Sequence, residues 1–140
     1  MTPTIHELVN PQTWLSRAQA LNESAGDKLA RGLHREAGEL LGYSVTCTGY
    51  AQELVLTDRY LATATAECDA ADARQAHHAL MRSARRRRDH ATDTRQALLR
   101  ELSQPAIRGL LGLSEEELVR EVPGEEFKVY DEQLRTKDRK

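Results

Sequence analysis

Leu33, Leu40, Cys47, Leu54, Leu61 and Cys68 recur at strict seven-residue intervals. Four positions after each stand Ala37, Ser44, Ala51, Asp58, Thr65 and Asp72. A seven-residue repeat with two core positions marks a helix that packs lengthwise against another helix. One core position is large and the other mostly small, which lets two helices approach closely. Asp58 and Asp72 interrupt the pattern, so it is cleanest from Leu33 to Leu54. A second apolar line, Leu41, Thr48, Val55 and Ala62, lies about 100° around the same helix.

The repeat passes through "LLGYSVTCTGYAQEL", residues 40–54, whose Val and Thr residues individually suit a strand. Read as a strand, neither of its faces is cleanly apolar or polar, and no partner strand of similar strength is nearby. Read as a helix, Cys47 falls in register between Leu40 and Leu54. Tyr43 and Tyr50 then flank that seam, while Gly42 and Gly49 lie roughly opposite it. Two interior glycines cost about 1 kcal/mol each in a helix, and close packing on the glycine side is what returns such a cost. The pattern therefore predicts a helix with a helix–helix or subunit interface at Leu33, Leu40, Gly42, Tyr43, Cys47, Gly49, Tyr50, Leu54 and Leu61. No charge occurs from Leu40 to Gln52. A helix uncharged all round needs cover all round, from the terminal helices or from a second subunit.

The remaining pattern is also helical. Asn10 and Pro11 suit an N-cap and first helical position, followed by Trp14, Leu15, Ala18 and Leu21 on one face. "NESAGD", residues 22–27, carries Gly26 and several capping residues and reads as a break or weak point. No Gly or Pro occurs between Gly49 and Pro105. That permits either one very long helix or a hairpin turning within residues 66–75, where Asp69 or Asp72 would cap the return helix. A short helix begins near Pro105, and Ser114 with Glu117 forms a capping box. "VPGEE", residues 122–126, ends that last helix, and 127–130 reads as extended.

The fold expectation is all-α: a long antiparallel, coiled-coil-like helical hairpin or bundle with short flanking helices and a polar C-terminal tail. The long helices fall at about 28–66 and 70–103, within a helical domain of 1–122 followed by a tail of 123–140. A chain of 140 residues with Leu and Ala dominant and few aromatics suits such a bundle.

Charge adds one feature. Residues 74–100 carry eight arginines against Asp89 and Asp93, whereas the flanking segments are acidic and the whole chain sums to −2. Arg82, Arg85, Arg86, Arg87 and Arg88 would contact nucleic acid, whose phosphates they neutralise, or an acidic protein partner. Four consecutive arginines point all round a helix, and no aromatics interleave for base stacking. Arg85 and His90 stand in an Arg-x4-His spacing that resembles the motif of HEPN-type helical ribonucleases. That resemblance implies an Arg and His pair serving in-line attack by a ribose hydroxyl.

No other chemistry converges. His34, His77 and His78 lack a helical metal-ligand spacing, so neither a metal nor a cofactor is expected. Cys47 and Cys68 sit on the apolar face as small hydrophobes, and no catalytic residue is assigned. The first residues show no basic stretch followed by an apolar run, so no signal peptide is expected, and the uncharged run would span only about 20 Å as a helix, short of a bilayer. Two cysteines are too few for a disulfide framework, so a cytoplasmic setting, or one within a phage particle, is expected. The expected function is a non-enzymatic structural or assembly protein, a homo-oligomer built through its helices and phage-like in its short, Arg- and Ala-rich make-up. The alternatives are a nucleic-acid-binding helical module and the ribonuclease.

Overall fold

The computed structural model describes residues 2–75 and 77–121. Among them every regular element is a helix: α1 Ile5–Leu8, α2 Pro11–Ala30, α3 His34–Ala73, α4 His78–Leu102, α5 Pro105–Gly112 and α6 Glu115–Glu121. The fold is all-α. The extended segment expected at 127–130 and the polar tail lie outside the described residues.

The spine is α3, whose 40 residues span about 60 Å at 1.5 Å per residue. It carries residues 40–54 without interruption, which excludes the strand. Its N-terminal half is covered by α2 running antiparallel. Ser44 Oγ donates to the Ala18 carbonyl at 2.9 Å, and Lys28 pairs with Glu36 at 3.1 Å. Its C-terminal half is covered by α4, also antiparallel, with Arg95 on Asp58 at 2.8 Å and Arg87 on Glu67 at 2.9 Å. The chain is thus two consecutive hairpins sharing one long helix, rather than a continuous rod.

Tyr50 marks where the two hairpins meet. Its ring lies 5.3 Å from that of Trp14 at the start of α2, and its hydroxyl donates to Glu101 at the end of α4. The core gathers around this junction: Trp14, Leu21, Leu40, Cys47, Leu54, Leu98 and Leu102, joined by Leu8, Leu110, Leu118 and Val119 from α1, α5 and α6. Trp14 Nε1 donates to the Leu8 carbonyl at 2.8 Å, which fixes the corner between α1 and α2. Beyond the junction, α3 and α4 continue as a projecting arm. Its buried residues are small: Ala64, Cys68, Ala84 and Ala91.

Both hairpin turns differ from the sequence expectation. Helix α2 runs straight through residues 22–27, because Leu21 and Ala25 are buried against α3 and hold that turn in place. The break comes at Arg31–Leu33, where Gly32 adopts φ +77°. There Leu33 N–H bonds the Lys28 carbonyl and Gly32 N–H the Leu29 carbonyl, a Schellman closure. The long helix therefore starts at His34, not near 28. At the other end α3 continues past Asp69 and Asp72 to Ala73, and the cap of α4 is His77, whose Nδ1 accepts from Ala79 N–H. The start of α2 behind Asn10 and the Ser114–Glu117 capping box are where the sequence placed them.

Candidate functional site

The predicted interface residues divide into three groups. Leu40, Cys47 and Leu54 are fully buried inside the chain, so this seam joins α3 to its own neighbours. Leu33, Tyr43, Tyr50 and Leu61 are half-buried beside it. The glycines lie elsewhere. Among the described residues nothing comes within 4 Å of where a Cβ would stand at Gly38, Gly42 or Gly49. The terminal helices α5 and α6 join the core at the junction, and among the described residues the glycine side of α3 is left open.

Around those glycines the surface is apolar. Val45 is 73% exposed, Leu56 63% and Leu41 41%, with Leu15 of α2 beside them at 41%. Leu15, Ala51, Gln52, Val55 and Leu56 line one shallow groove of about 370 Å³. The groove shows that the Leu15 side of α2 and the Val55 side of α3 form a single face. From Leu15 through Asn22 to Leu29, and from Leu41 through Thr48 to Val55, both helices present uncharged residues along it.

The arginine cluster has a mixed fate. Arg87 is engaged with Glu67 and with Ser83 Oγ at 2.8 Å. Arg88 is half-buried near the seam, while Arg82, Arg85 and Arg86 project to solvent. Arg82 and Arg85 border an open hollow of about 800 Å³ at the arm tip, which Asp72 and His78 also line. Asp58, which sits at a core position of the repeat, is explained by its partner Arg95. Arg85 and His90 do not converge. Five residues apart on one helix, they point about 140° away from each other, and the His90 ring lies edge-on to Tyr60 at 6.0 Å.

The buried thiol is not poised for attack. Burial pushes Cys47 up to about 11, against the opposing pull of the nearby Arg17 charge. A group held as the thiol at neutral pH is a poor nucleophile. Both cysteines are free and buried. Among the described residues no group of three or more His, Cys, Asp or Glu is placed to hold a metal ion, and no helix is long and apolar enough to cross a membrane.

One important residue had no signal in the sequence. Arg17 looks like an ordinary surface charge on α2. Its Nε donates to the Leu110 carbonyl at 2.7 Å and its Nη2 to the Leu113 carbonyl, so it clasps the end of α5. Those partners are 93 and 96 residues away, beyond any local pattern. No family model, curated protein or solved structure matches the chain.

Proposed function

We propose that the protein is a non-enzymatic assembly component that self-associates through the face shared by α2 and α3. The observation that carries this is the uncharged two-helix surface around Leu15, Leu41, Val45 and Leu56, left exposed among the described residues. Apolar burial is worth about 25 cal/mol per Å², so covering the exposed parts of these four side chains drives association. Contiguous apolar surface of this kind marks interaction sites in soluble proteins. Two buried free thiols suit a reducing, cytoplasmic setting, and the short Arg- and Ala-rich chain suits a phage or mobile-element part. Sedimentation equilibrium at tens of micromolar tests the proposal. A mass above that of one chain is expected, and a clean monomer overturns self-association.

A second function reading has its own observation: Arg82, Arg85 and Arg86 are exposed on one arm, and among the described residues no ion pair occupies them. They would hold phosphates of a nucleic acid. Retention on nucleic acid that falls steeply with salt, and disappears when Arg82, Arg85 and Arg86 become Gln, supports it. Indifference to nucleic acid at low salt removes it.

A further inference from the structure

We infer that the occupant of the α2/α3 face is a second copy of this chain, antiparallel about a two-fold axis beside Thr48. Leu41 and Val45 of each copy fill the other's Leu15–Leu56 groove. The inference rests on the self-association proposed above and adds its geometry.

The knobs and the groove belong to the same face. Leu41, Val45, Thr48, Gln52, Val55 and Leu56 follow the spacing that keeps helical residues on one side. They are also arranged about a centre. Leu41 lies seven positions before Thr48 and Leu56 eight after it; Val45 lies three before and Gln52 four after. An antiparallel copy centred between Thr48 and Gly49 sets Leu41 against the partner's Leu56 and Val45 against the partner's Gln52. The same operation repeats both contacts on the other side of the axis, as an isologous interface requires. The open space at Gly38, Gly42 and Gly49 then lets the two backbones approach where a side chain would hold them apart.

Charge and size favour the same occupant. The face carries no charge from Gly38 to Gln52 except Glu39, which turns away and pairs with Arg35. A charged partner would be desolvated there without compensation, whereas a second copy brings an equally uncharged surface. Two helices of about 10 Å diameter side by side over about 25 Å present on the order of 500 Å². Two such faces bury on the order of 1,000 Å² together, which meets the lower bound for a specific interface. The product is a layer of two helices on a layer of two helices, a standard way to close a helical core. Its arms point in opposite directions and carry the two Arg85 positions roughly 60 Å apart.

The test pairs a disruption with a rescue, both on exposed positions that leave the monomer core untouched. Wild type, V45E, L56E and the double variant V45E/Q52K are measured by sedimentation equilibrium, with far-UV circular dichroism confirming equal helicity. The expected masses are dimer, monomer, monomer and dimer. In the double variant each new Glu meets the partner's new Lys, and this happens twice per dimer. A monomeric wild type overturns both this geometry and the self-association beneath it. A dimeric wild type with a dimeric V45E, or with a V45E/Q52K that stays monomeric, overturns the geometry alone.

Discussion

Arg17 shows how much a single side chain contributes at the junction. The carbonyls at the end of α5 lack helical partners, and that end carries partial negative charge. A guanidinium satisfies two carbonyls at once in a planar fork that a lysine lacks. Arg17→Ala is expected to lower stability by about 1.5–3 kcal/mol, the range for hydrogen bonds to charged groups, and Arg17→Lys should recover less than half of that loss. Urea unfolding at constant m-value measures both. The tyrosines and Cys47 set the alkaline limit. Burial, reinforced by the Glu101 charge and hydrogen bond, raises Tyr50 to about 12; burial and the Glu39 charge raise Tyr43 to about 12. A raised acid keeps its proton in the folded state after the unfolded chain has lost it, so stability falls as pH rises through that interval. The contribution of Cys47 is lost between about pH 9 and 11 and that of the tyrosines between about 10 and 12. The melting temperature should therefore decline above pH 9 from these groups, and Cys47→Ser should remove the earliest part of that decline.

The helices themselves were legible because local chemistry repeats along them. The seam through Leu40, Cys47 and Leu54 was visible from spacing alone, and so was the cap at Asn10–Pro11. What stayed hidden was decided by the backbone at two turns. Gly26 drew attention as a breaker, yet it sits on an exposed helical turn with open space around it, while Gly32 does the breaking. At the end of α3 the equivalent left-handed position is held by Gln75, at φ +48°. With no glycine there, the pattern offered only Asp69 and Asp72 as signals. A side chain in that conformation costs roughly 1–2 kcal/mol, part of which a glycine returns through its greater freedom when unfolded. Gln75→Gly is expected to raise stability by about 0.5–1 kcal/mol, and Gly32→Ala to lower it by about 1 kcal/mol. Opposite shifts in melting temperature for the two variants would confirm that both turns close by the same left-handed residue.

At the scale of the molecule, stability should follow side-chain size along α3. Near the junction, α3 buries Leu40, Cys47 and Leu54 among Trp14, Leu98 and Leu102, with the short helices closing over them. Along the arm the seam is Ala64, Cys68, Ala84 and Ala91, held by Arg87–Glu67 and Arg95–Asp58 at its exposed flanks. Apolar burial contributes about 25 cal/mol per Å², so an alanine seam stabilises its helices far less than one built of Leu and Trp. Exposed ion pairs add only about 0–1 kcal/mol each. The arm is therefore expected to open without the junction, as a separate low-energy unit. Native-state hydrogen exchange would show residues 60–73 and 78–92 exchanging at least tenfold faster than residues 40–54. Ala91→Leu and Ala84→Leu would not repair this, because both alanines are buried in the seam and a larger side chain there would overpack it. Lowering the ionic strength should slow exchange of the arm selectively, since its ion pairs reach solvent, Arg87–Glu67 more than the half-buried Arg95–Asp58, and are screened by salt. Uniform protection along all of α3 would mean that the two hairpins unfold as one, and that the spine, not the seam, sets the cooperativity.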